Sequence, residues 1–100
     1  MAGFLTSNTM ALLYLGSDSC GVCQTLQPKL KKLLEDYPKI ASGKIDTAKS
    51  ARLAAENTIF TIPAVLIFVA GKEVIREARH ISIRELNEKI QRYYGFVFDQ

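Results

Sequence analysis

The sequence predicts an α/β fold built on a mixed sheet of about four strands. Three observations carry this. Residues 10–15 (Met-Ala-Leu-Leu-Tyr-Leu) and 64–69 (Ala-Val-Leu-Ile-Phe-Val) are continuous apolar runs of strand length, as strands buried on both faces require. Elsewhere the apolar residues recur at helical spacing, at Val22, Leu26, Leu30, Leu33 and Leu34 and again at Ile83, Leu86, Ile90, Tyr93 and Tyr94. The resulting order is strand, helix, strand, helix, strand, strand, helix. A crossover helix makes the first strand pair parallel, and a tight turn makes the second pair a hairpin. One hundred residues form one domain, 1–100, large enough to bury a core without staples.

Each element has a local reason. After the first strand, Gly16-Ser17-Asp18-Ser19 turns the chain into the helix that begins near Val22, and Pro38 is expected to stop that helix. Residues 40–45 form a second short strand. Residues 48–57 form an Ala-rich second helix, with Ala51, Ala54 and Ala55 on its buried side. Ala70-Gly71-Lys72-Glu73 reads as a turn into an exposed edge strand over 74–79, which carries Arg76, Glu77 and Arg79. Ser82-Ile-Arg-Glu85 is a capping box that opens the last helix, and Gly95 is placed to end it.

Composition excludes several function classes. The chain is 48% hydrophobic and 23% charged with a net charge of +3, and its basic residues are dispersed. Nothing interleaves aromatics with arginine, so nucleic acid is not an expected partner. No segment reaches the ~18 apolar residues that span a bilayer, and the N-terminus lacks the basic start and long apolar run of a signal peptide. The expected location is therefore cytoplasmic, where a disulfide is usually transient or catalytic.

The only two cysteines stand at Cys20-Gly21-Val22-Cys23, at a strand-to-helix junction. Two thiols at this spacing can shuttle two electrons by thiol–disulfide exchange. Cys20 lies where backbone N–H groups lack intrahelical partners and the helix dipole favours negative charge, so the thiolate is favoured there. Gly21 is read as allowing a tight turn beside the sulfur. Val22 adds neither charge nor ring, which points to a reducing couple. The bland alternatives are two inert buried thiols, or a metal bridging two chains. A four-ligand zinc site needs two further ligands, and the only histidine is His80.

Together with two prolines, this motif resembles the thioredoxin family. Pro28 falls five residues after Cys23, inside the helical stripe, where the family carries a kinking proline. Thr61-Ile62-Pro63 precedes the apolar strand, as does the family's cis-proline loop. The resemblance covers roughly residues 10–94 and implies a three-layer sandwich with helices on both faces. It implies Cys20 as nucleophile, Cys23 as resolving thiol, and Ile62 and Pro63 as the edge that receives a substrate strand. It also implies no bound cofactor beyond a redox-active Cys20–Cys23 disulfide. The partners implied are a protein or small-molecule disulfide as substrate and an electron donor such as a thioredoxin reductase.

The chain departs from the family in five places. Tyr14 stands where thioredoxins carry a buried Asp, and a tyrosine with a pKa near ~10 is a poor base at neutral pH. Tyr14 is read first as a core residue, with Asp18 the nearest carboxylate that water could link to the site. The two places where tryptophan is usual fall on Gly16 and Ser19, and there is no tryptophan at all. His80 falls, by count, where a glycine often lines the peptide groove, although a surface histidine before a helix cap is the simpler reading. The family's first strand has no counterpart, and residues 3–7 read as the tail of the helix that follows it. These losses keep open a second function: a thioredoxin-fold adaptor or redox-sensing module with little turnover.

Overall fold

A computed structural model of the chain describes residues 2–17, 20–56 and 61–98. The elements are α1 (Ala2–Ser7), β1 (Met10–Gly16), α2 (Gly21–Leu34), β2 (Ala41–Asp46), α3 (Ala51–Glu56), β3 (Ala64–Val69), β4 (Lys72–Ala78) and α4 (Ile83–Phe98). The four strands form one mixed sheet in the order β2-β1-β3-β4. β1 is parallel to β2 and antiparallel to β3, and β3–β4 is the expected hairpin.

β1 is buried along its whole length, and its alternation divides the core. Met10, Leu12 and Tyr14 face α2 and α4, where they join Leu26, Leu30, Leu33, Leu86 and Ile90. Leu13 and Leu15 face the other way, with Leu66 and Phe68, and Leu5 of α1 packs on that cluster. Helices therefore cover both faces, and the architecture is the predicted three-layer sandwich.

The β3–β4 hairpin turns on Ala70 and Gly71, both with positive φ (52° and 81°). That pairing is the mirror-image turn whose twist matches two antiparallel strands, and glycine adopts it freely. α4 is capped as its sequence suggests, with the Glu85 N–H donating to Ser82 Oγ at 3.2 Å.

Several boundaries differ from the sequence reading. α2 ends at Leu34, four residues before Pro38, because the chain tightens into i→i+3 turns there: Glu35, Asp36 and Tyr37 donate to Lys32, Leu33 and Leu34. α3 begins at Ala51 rather than 48, since Asp46 Oδ1 accepts the Ala48 N–H and holds the preceding residues in a turn. Ala51 and Ala55 are exposed, so they do not form a buried side, and Asn57 lies outside the described residues. Gly95 does not end α4. The helix runs on to Phe98, which packs on Tyr94 with ring centroids 4.8 Å apart, while Tyr94 meets Tyr37 edge-on at 5.0 Å. That aromatic contact outweighs the weak helix propensity of one glycine.

Candidate redox site

Cys20 is the N-cap of α2, with extended backbone (φ −93°, ψ 110°). Its N–H donates to Ser17 O at 3.1 Å and its carbonyl accepts from Gln24 N–H at 3.2 Å, so the residue is held on both sides. Its Sγ accepts the Cys23 N–H at 3.2 Å, filling the place a serine or aspartate oxygen takes at an ordinary N-cap. The sulfur thus lies on the unsatisfied donors of the first turn, where negative charge is favoured.

Cys23, one turn on, is only 2% exposed, whereas Cys20 is half-buried. The two form a disulfide with Cα atoms 5.2 Å apart, inside the usual range for such bridges. Val22 between them is 61% exposed, an apolar side chain in solvent beside the sulfurs. Gly21 is not needed for a tight turn. It has no positive φ, and an added Cβ would meet nothing within 4 Å, so what it leaves is open approach to Cys20.

Pro28 lies inside α2 and is exposed, and the helix continues through it. Being a proline, it cannot donate the usual intrahelical bond. The Ile62–Pro63 peptide bond is cis. The pairing of Leu15 with Ala64 sets Pro63 beside Gly16, at the sheet end from which Cys20 emerges. Ile62 and Cys20 both pack against the same core cluster. Asp18 and Ser19 lie outside the described residues.

Tyr14 is in the core and also reaches the motif. Its buried hydroxyl donates to the Cys23 carbonyl at 3.3 Å, and burial raises its pKa. The ring lies back over Gly16, on the same face two residues along. A Cβ at residue 16 would stand 2.5 Å from Tyr14 Oη and 2.9 Å from Cζ. The tyrosine and the glycine are therefore one spatial substitution. Two departures that look independent along the chain occupy one volume between β1 and the first turn of α2. Sequence inspection treats residues 14 and 16 separately; the signal available was their i, i+2 spacing on one face of a strand.

His80 is exposed, with its N–H donating to Ala78 O at 2.9 Å. The left-handed backbone after β4 belongs to Arg79 instead, one residue ahead of the place counting assigns to His80. Its φ is 70°, a conformation that costs a side-chain-bearing residue roughly 1–2 kcal/mol. The Arg79 N–H donates to Pro63 O at 2.8 Å and ties this segment to the cis-proline loop. Sequence reasoning missed Arg79 because a left-handed backbone at a residue other than glycine leaves no mark in the sequence.

A paired Cys-x-x-Cys at a helix N-terminus, beside a cis-proline on a mixed sheet, defines a thiol–disulfide oxidoreductase. The family model described as thioredoxin matches residues 3–92. The chain is 32% identical over 91 residues to the thioredoxin-like protein YdfQ of Bacillus subtilis (strain 168), covering 91% of this chain and 81% of the relative. It is 29% identical to thioredoxin H8 of Arabidopsis thaliana, covering 92% of this chain but 62% of that protein. Among solved structures, thioredoxin 1 of Thermosipho africanus TCF52B superposes with a TM-score of 0.80 at 30% identity, covering 86% of this chain and 96% of that one. The chain belongs to the thioredoxin family.

Proposed function

We propose that the protein reduces disulfides in protein substrates, with Cys20 attacking and Cys23 resolving. The observation that carries this is the asymmetry of the pair. Cys20 is reachable and its sulfur accepts a backbone N–H, while Cys23 is buried behind it. In the reduced protein the Cys20 thiolate attacks one substrate sulfur. The substrate S–S bond breaks, and the departing thiolate takes a proton from solvent. Cys23 then loses its proton, and its thiolate attacks Cys20 Sγ. The second substrate sulfur leaves and is protonated in turn. The substrate has gained two electrons and two protons, and the protein holds the Cys20–Cys23 disulfide. Another dithiol system, such as a thioredoxin reductase, returns those electrons, and no bound cofactor is required. The cytoplasm, with its reducing thiol pool, suits this direction of flow. No helix among the described residues is long and apolar enough to cross a membrane.

Ile62 and Pro63 supply the edge on which a substrate strand pairs. Tyr14 favours slow resolution, because a buried neutral hydroxyl stands near Cys23 where a carboxylate would assist proton loss. That same observation supports the second reading, an adaptor or redox sensor with little turnover. Insulin reduction with dithiothreitol separates the two. The expected result is turnover that is abolished in Cys20→Ser, with Cys23→Ser trapping a mixed disulfide on Cys20. A parent protein that gives no turnover above dithiothreitol alone overturns the reductase reading in favour of the adaptor.

A further inference from the structure

Arg79 holds a left-handed backbone that glycine would adopt without strain, and it does so outside any hairpin turn. Its backbone is fixed by the hydrogen bond to Pro63 O, and its side chain is exposed. Strained residues that persist next to a site point to a use for the side chain they carry. Arg79 also makes no side-chain ion pair within 4.0 Å among the described residues.

Two and four residues further on, Ile81 and Ile83 line a recess of about 230 Å³ with Val22, Thr25, Leu26 and Lys29 of α2. This recess is mostly apolar, and among the described residues that line it only Lys29 is charged. Val22, which stands between the two cysteines, is one of the lining residues, and this sets the recess beside the motif. Arg79 is bound through its backbone to the cis-proline edge and Lys29 lines the recess, so a substrate segment that reaches from one to the other has a basic residue at each end. A guanidinium offers a planar fork of donors that matches a carboxylate bidentately, and a nearby ammonium adds attraction of the same sign.

We propose that Arg79 is a specificity residue that favours disulfides flanked by acidic side chains. The inference rests on the reductase reading and names the substrate class for it. The test uses three synthetic peptides with the same disulfide loop, flanked by aspartates, asparagines or lysines. Their reduction by the fully reduced protein is followed in single turnover at low and high salt. The parent is expected to reduce the aspartate peptide about three- to tenfold faster than the asparagine peptide at low salt, with the preference shrinking at high salt as screening predicts. Arg79→Gly, which fits the left-handed backbone, should bring the ratio close to one. Arg79→Lys should keep part of it, and Arg79→Glu should invert it toward the lysine peptide. An unchanged aspartate-to-asparagine ratio in Arg79→Gly overturns the proposal, as does a parent with no preference. Failure of the reductase reading is distinguished by titrating the same three peptides, fluorescently tagged, against Cys20→Ser and Cys20→Ser/Arg79→Gly. Their relative affinities report the preference without turnover, and equal affinities in the two proteins overturn the proposal on this arm too.

Discussion

Gly16→Ala is the most informative single change, because the structure states what the new methyl group would meet. An added Cβ lies 2.5 Å from Tyr14 Oη, 2.9 Å from Cζ and 3.0 Å from Cε2, all inside van der Waals contact. The ring can move aside only by giving up contacts that it now makes. It is buried in the α2/α4 cluster, and its hydroxyl is tied to the Cys23 carbonyl. Overpacking of a tight core costs about 1–3 kcal/mol. For a domain of this size a loss of 1 kcal/mol lowers Tm by roughly 4–8 °C. The assay is urea unfolding of the oxidised protein, run as a cycle with Tyr14→Leu, which removes the ring. In that background Gly16→Ala should be close to neutral or stabilise by about 0.4–1 kcal/mol, since alanine restricts the unfolded chain more than glycine does. The coupling between the two sites is then of order 1 kcal/mol or more, as contacting residues show. A cost for Gly16→Ala below about 0.5 kcal/mol, the range of an ordinary surface change, would refute the reasoning. So would equal costs in both backgrounds, because the two residues would then not share a volume.

Other outcomes follow from single contacts. Burial raises the pKa of both Tyr14 and Tyr37, so each favours its neutral form in the folded state. Their contribution is complete below the ordinary tyrosine range and is lost as pH rises through the elevated folded values. Stability should therefore fall above about pH 10, and Tyr14→Phe should flatten part of that fall in pH-dependent urea midpoints. Tyr37→Phe deletes the hydroxyl that donates to Asn87 Oδ1 at 2.5 Å, which ties the segment after α2 to α4. A loss of about 0.5–1.5 kcal/mol is expected, and a midpoint equal to the parent's would show that the bond contributes nothing. Gly95→Ala should stabilise by up to roughly 1 kcal/mol, because residue 95 is inside a helix and a Cβ there meets nothing within 4 Å. Destabilisation on thermal unfolding would mean that α4 ends before residue 95.

The family resemblance supplied the roles of both prolines, while the motif, the hairpin and the parallel first crossover were legible along the chain. Each depends on residues close in sequence: a buried run, a helical stripe, a turn pair. Boundaries were less legible because side chains compete locally for backbone groups. Asp46 takes the Ala48 N–H and delays α3, and the aromatic stack of Tyr37, Tyr94 and Phe98 carries α4 past Gly95. A local pattern contains the first kind of competition only weakly and the second not at all.

By itself, then, the sequence determined the chemistry: two thiols, one opening a helix after a strand buried on both faces. Tertiary structure decided which residues surround them. Only packing across β1 and α2 could show that Tyr14 fills the volume over Gly16 and reaches the Cys23 carbonyl. Only the register of β3 on β4, slipped at one position, sets Arg79 rather than Ala78 opposite Pro63, and only the folded backbone shows its left-handed φ. The reason is physical. Thiol reactivity is set by the helix start on which the motif lies, whereas support and specificity come from neighbours that meet only once the sheet has formed.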